Sequence, residues 1–168
     1  PGVVEKIIQV KVGNSLFIGL NTNVYNEYGN LMIAWLNSRL RDVENDESVD
    51  FVFLFFHHPP MSELWDYVNV SDGSSAFVRN SILPVIKKYS KVQATYSGHT
   101  HGYERGAIQS TTQGGDFRII CGGGSGGYLD PWADGQNRDI DDITKTISNF
   151  EFQMLEIDVA DKSFQNTV

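Results

Sequence analysis

Imidazole is the side chain that binds transition metals most readily near neutral pH, and this chain's four histidines fall into two close pairs. His57 and His58 are adjacent in "FVFLFFHHPP", and His99 and His101 stand one residue apart in "YSGHTHGYERG". An extended backbone would turn His99 and His101 to the same side, because side chains two apart in a strand share a face. Gly98 and Gly102 bracket that pair and allow the tight turn and close approach that a metal site needs. Pro59 and Pro60 end the preceding strand and stiffen the loop that carries His57. Taken singly, each histidine reads as an ordinary surface or core residue, and His-x-His is short enough to arise by chance. The glycine brackets and the second pair at a strand end raise the case for a metal site without identifying a reaction.

Those pairs need elements to hold them. Residues 7 to 20, "IIQVKVGNSLFIGL", alternate around Gly13-Asn14 and predict a β-hairpin. Ile33, Leu36, Leu40 and Val43 recur at helical spacing behind Asn30 as a cap, which predicts a helix from about 31 to 43. "FVFLFF" is apolar throughout and suits a central strand buried on both faces, ending at His57. Val78, Ile82, Ile86 and Tyr89 predict a helix within 75 to 89, kinked at Pro84 or starting close to it. "KVQATYS" and "DFRIIC" read as strands, the first running into the histidine-bearing turn. "NFEFQMLEIDV" reads as a last strand whose change of phase implies a bulge near Met154 and Leu155. Residues 128 to 147 show no assignable pattern. The reading is one α/β unit with His57 and the His99/His101 pair at the C-terminal ends of two strands, the edge where open α/β sheets bind ligands.

Composition narrows the function. Thirteen basic against 21 acidic residues give a net charge of −8, which argues against a protein that grips the phosphate backbone of nucleic acid. An anionic substrate would need local positive charge, which bound metal supplies whatever the surface charge. No apolar run reaches the ~18 residues of a membrane span. The single cysteine, Cys121, excludes an intrachain disulfide and reads as a buried, unreactive thiol. Asn69-Val70-Ser71 permits glycosylation.

"FFHHPP" and "GHTHGYER" resemble the C-terminal motifs of the calcineurin-like metallophosphoesterases, and the second most resembles the purple acid phosphatase branch. The resemblance runs in element order from about residue 7 to 159. It implies part of a layered α/β/β/α sandwich with mixed sheets, and a phosphoester hydrolase, monoesterase or diesterase, using a metal-activated water at a dinuclear site. By the same resemblance His57 and His99 are ligands of one metal and His101 of the other, the ions being iron, zinc or manganese. His58, in the variable position before the proline, is a candidate for substrate contact, and Tyr103, Glu104 and Arg105 for bracing the loops behind the ligands. The family's N-terminal motifs, which supply the carboxylate bridging the metals, do not occur; "GLNTN" is the nearest fragment and lacks both the aspartate and the histidine. The expectation is therefore the C-terminal portion of a single catalytic domain, residues 1 to 168, whose partners are a phosphate ester and the N-terminal half, inactive by itself. The resemblance favours a secreted or lumenal location. The alternative is a non-catalytic metal-binding or interaction module with the same fold.

Other signals were weaker. Gly122 to Gly127 match a dinucleotide fingerprint, but no helix follows, and a loop at the site mouth is the better reading. Asp130, Asp134, Asp139, Asp141 and Asp142 lack calcium-loop spacing and read as a solvated acidic loop. Trp65, Tyr67, Tyr128 and Trp132 follow the two histidine loops and could line a pocket or pack beneath them.

Overall fold

A computed structural model describes residues 7–23, 27–64, 73–111, 116–131 and 140–168. The sequon at 69–71, Trp65, Tyr67, Trp132, Asp134 and Asp139 lie outside the described residues. The hairpin pairs β1 (Ile7–Val12) with β2 (Ser15–Leu20), Val12 opposite Ser15, which leaves Gly13-Asn14 as a two-residue turn. Gly13 takes φ +57°, the left-handed conformation that the first turn position of such hairpins favours. Three further strands run parallel to β2: β3 (Phe51–Phe56), β4 (Val92–Ser97) and β6 (Phe117–Gly122). Two more, β5 (Tyr103–Ile108) and β7 (Ile143–Ile147), close the far side in antiparallel fashion. The resulting mixed sheet has the order β1-β2-β3-β4-β6-β5-β7.

Alternation along each strand divides the core between the two faces of this sheet. Val52, Leu54 and Phe56 of β3 join Leu16, Ile18 and Leu20 of β2 against Met32, Leu36, Leu40 and Val43 of helix α1 (Glu27–Glu44) and Ile82, Leu83 and Ile86 of the second helical segment. Phe51, Phe53, Ala94, Tyr103 and Ile120 face the other way, towards Leu155, Ile157 and Phe164. These last belong to a two-stranded sheet, β8 (Met154–Asp158) paired antiparallel with β9 (Ser163–Thr167). Phe164 meets Phe51 and Phe53 edge-on at 5.5 and 5.3 Å, and Arg118 lies over its ring at 5.7 Å. Burial on both faces accounts for the apolar run of β3 except at the exposed Phe55: each side chain fully removed from water contributes roughly 1.5–3 kcal/mol. The described layers are thus helix, mixed sheet and second sheet, and no described helix is long and apolar enough to cross a membrane.

Three sequence expectations need correction. Helix α1 starts at Glu27, so Asn30 is an exposed residue at the end of its first turn and not its cap; that turn carries no apolar period. The helix expected within 75 to 89 is α2 (Gly73–Phe77), a π-helical turn (Val78–Ile82) and α3 (Leu83–Ile86) in succession. Proline inside an α-helix clashes with the carbonyl four residues back, and the wider turn just before Pro84, in which Leu83 N–H donates to Val78 O, absorbs that clash. The last strand holds no bulge: β8 begins at Met154 in regular register, and Phe150 and Phe152 precede it, exposed and outside the strand. The change of phase marked the strand's start.

Candidate metal centre

Strands β3 and β4 end side by side, and the backbone N–H of Gly98 donates to His57 O at 3.0 Å, tying the two histidine loops together. His57 Nε2 lies 3.1 Å from His99 Nδ1. His58 joins them: the ring centroids of His57, His58 and His99 are 4.8, 4.9 and 4.6 Å apart, a nearly equilateral triangle. One nitrogen from each of the three lies within 4.8 Å of the other two. His58 is buried, and its backbone N–H and ring Nδ1 both meet Thr22 Oγ1, at 3.2 and 2.8 Å. Thr22, fully buried, follows directly after β2 in the fragment "GLNTN".

His101 stands outside this triangle, because the backbone from Gly98 to Gly102 is coiled and not extended. Thr100 N–H donates to Gly98 O at 2.8 Å across His99, which takes φ +69°. That is a γ-turn with a β-branchless but bulky residue in the left-handed region, a strained arrangement of the kind found at functional sites. His99 is thereby turned to His57 and His101 to another loop. There His101 Nδ1 lies 2.6 Å from Tyr128 O. A carbonyl oxygen only accepts, so Nδ1 carries the proton and, in the neutral ring, Nε2 keeps its lone pair. Asp130 completes the support: its Oδ2 accepts from His101 N–H at 2.7 Å, while its own N–H donates to His101 O at 2.9 Å.

The glycine run makes this turn possible. The strand order puts β6 between β4 and β5, so the His99–His101 turn must pass across the end of β6. A Cβ on Gly123 would fall 1.9 Å from Thr100 O, and one on Gly127 would fall 2.9 Å from the His101 ring. Only glycine lets the two backbones cross so closely.

Behind the histidines, Glu104 is 2% exposed. Its Oε1 accepts from Glu63 N–H at 2.5 Å and Leu64 N–H at 3.3 Å, which joins β5 to the loop after His57-His58-Pro59-Pro60. Its Oε2 has no hydrogen-bond partner among the described residues. Burial, opposed by bonds from Ser62, Glu63 and Leu64, pushes its carboxyl up to about 7. Tyr103, next along β5, is buried, which raises its phenol, and the exposed Arg105 hydrogen-bonds to it and opposes that rise. Cys121 is buried with its thiol raised to about 12 and its Sγ on Gly98 O at 3.1 Å, an unreactive packing residue. Thr22, Tyr128 and Asp130 were not foreseen as site supports. Thr22 and Tyr128 bear no motif, and Asp130 was grouped with the acidic loop, although Asp141 and Asp142 are exposed as that reading implies.

The arrangement of helix, mixed sheet and second sheet, with histidine loops at the C-terminal ends of parallel strands, is a mixed α/β fold that resembles the purple acid phosphatase fold. The chain is similar in structure to purple acid phosphatase PPD1 from yellow lupin (Lupinus luteus) seeds, with a TM-score of 0.71 and 19% identity over 89% of this chain and 28% of that one. At that identity the likeness is one of fold, and this chain spans little more than a quarter of the matched structure. PhoD also matches, with a TM-score of 0.46 and 11% identity over 69% of this chain and 28% of that one. No protein-family model matches the chain, and no curated sequence relative does.

Proposed function

We propose that these residues form one wall of the active site of a metal-dependent phosphoester hydrolase, with two metal ions and a phosphate monoester or diester as substrate. The observation that carries the reading is the convergence of His57, His58 and His99 at the ends of β3 and β4, in a fold similar to purple acid phosphatase. The donor set fits borderline transition metals: imidazole suits iron and zinc, and manganese would need the carboxylate ligands as well. His57 and His99 would hold one ion, and His101, with Nδ1 committed to Tyr128 O, would offer Nε2 to the other. Bound there, such ions supply Lewis acidity towards phosphoryl oxygens and a nucleophile at neutral pH. The chain's own contribution is orientation: Asp130 and Tyr128 fix His101, Thr22 fixes His58, and Glu104 holds the loop that carries His57. Local positive charge at this edge would draw an anionic ester to a protein whose net charge is −8.

The triangle contains imidazoles and no carboxylate among the described residues. Two-metal hydrolysis needs anionic ligands, so the reading takes its carboxylates from outside the described residues, and it expects negligible turnover by the 168 residues alone. The same absence favours a second reading, a metal-binding module without catalysis. One assay separates them: hydrolysis of a chromogenic phosphate ester by the 168-residue chain and by a longer chain that includes it. Metal-dependent turnover in the longer chain, abolished by His99→Ala, supports the hydrolase. Metal retained by both chains without turnover supports the module, and turnover by the 168 residues alone would refute the shared-site reading.

A further inference from the structure

We propose that His58 is a third ligand to the ion held by His57 and His99, so that this chain by itself forms a three-imidazole pocket for one divalent transition-metal ion, with Thr22 setting the His58 ring. The inference rests on the reading of His57 and His99 as a ligand pair and adds a residue to it. Two nitrogens bound to one tetrahedral zinc at ~2.05 Å stand about 3.3 Å apart; His57 Nε2 and His99 Nδ1 are already 3.1 Å apart. His58 meets the other two rings at centroid distances of 4.8 and 4.6 Å, inclined at 85° and 61°, so that the three rings are set edge to face and not in parallel stacks. The same three residues bring one ligand atom each within 4.8 Å of the others.

Burial is graded across the triangle. His58 is buried, His99 half-buried and His57 exposed. The pocket is therefore closed on the His58 side and open on the His57 side, the pattern of a site with three protein ligands and one position left for water or an anion. Thr22 supplies the outer support that such ligands need: its hydroxyl meets both the backbone N–H and the ring Nδ1 of His58, so ring and backbone are fixed by one atom. Three neutral imidazoles leave the ion's charge of about +2 uncompensated. An oxyanion such as phosphate is the complementary fourth ligand.

The test uses the purified 168-residue chain. Zinc is titrated by calorimetry, cobalt by visible absorption, and the number of imidazoles on bound zinc is counted by X-ray absorption fine structure. The expected result is one equivalent of metal on three imidazoles, with affinity lowered at least tenfold in His58→Gln and about ten- to a hundredfold in Thr22→Val, at unchanged circular dichroism. Two imidazoles on the wild-type ion, or wild-type affinity in His58→Gln, overturns the proposal. The imidazole count needs no variant, so a misfolded substitution does not decide the matter. Three imidazoles without any phosphoester hydrolysis in the longer chain would leave this pocket standing and remove the hydrolase reading; two imidazoles with hydrolysis would do the reverse.

Discussion

His99 carries a backbone cost that can be measured apart from its ring. It sits at φ +69° in the tight turn closed by Gly98 O and Thr100 N–H, and a residue with a Cβ in the left-handed region loses about 1–2 kcal/mol relative to the right-handed one. Alanine at 99 keeps that cost and removes the imidazole. Glycine removes both, and gives back roughly 0.5–1 kcal/mol through the greater freedom of the unfolded chain. In a chelating buffer, where metal affinity plays no part, His99→Gly should therefore exceed His99→Ala in stability by up to about 1 kcal/mol. Both variants lose the 3.1 Å contact with His57, so that term cancels between them. For a chain of this length the difference corresponds to about 2–4 °C in Tm per kcal/mol, readable by urea titration and thermal melts of the two variants side by side. Alanine clearly more stable than glycine would refute the idea that the turn is strained. The expected order has a functional meaning: the fold accepts an unfavourable conformation to aim this ring at His57, and metal binding is the interaction that could offset it.

Glu104 predicts a pH dependence. Its folded value of about 7 lies above the 4.5 of an ordinary glutamate, so between those values the folded chain keeps a proton that the unfolded chain has released. Stability should fall as pH rises from about 4.5 through 7, by on the order of 3 kcal/mol, and Glu104→Gln should flatten that part of the curve in urea titrations across the range. Gly127→Ala should push the ring of His101 off its contact with Tyr128, because the new Cβ would lie 2.9–3.2 Å from three of the ring atoms; a shifted His101 imidazole resonance by NMR checks this. Gly123→Ala should be worse, costing more than about 2 kcal/mol, since its Cβ would stand 1.9 Å from a backbone oxygen that cannot move independently. Phe53→Ala, at the fully buried centre of β3 between Phe17 and Phe164, should cost about 3–5 kcal/mol and serves as the measure of core loss against which the loop variants are judged.

Elements with a simple period could be read from the sequence: the hairpin from its alternation about Gly13-Asn14, β3 from its unbroken apolar run, and α1 from the stripe that ends at Val43. Strand β5 was missed for a physical reason. Its second residue is a buried glutamate, and its fourth, Gly106, is there because a Cβ would meet Asp142 O at 1.9 Å. Both break an apolar alternation that only the neighbouring strands explain. Strand β7 is half exposed, with Ile143 as its one buried residue, and gives almost no signal. At the site, residue type pointed to the histidines, but their grouping depends on the γ-turn at His99. No rule of spacing gives the sign of φ for a histidine. The supports Thr22 and Asp130 lie 36 and 29 residues from the histidines they hold, contacts that exist only once the sheet is assembled.

Strand β1 has a consequence for how the molecule behaves in solution. It is the outermost strand of its sheet among the described residues, and Ile8, Val10 and Val12 point to the same face as Phe55, each of them at least 38% exposed. An edge with free backbone donors and acceptors beside wetted aliphatic side chains is a template for pairing with another copy. The polar side chains of the strand, Gln9 and Lys11, are engaged on the opposite face with Arg39 and Ser48 and give that surface no charge to repel a neighbour. Protein concentration thus becomes a variable of the folded state: dilution and a lysine at Val10 should both keep the chain monomeric, and crowding should drive it into soluble clusters before heat unfolds it.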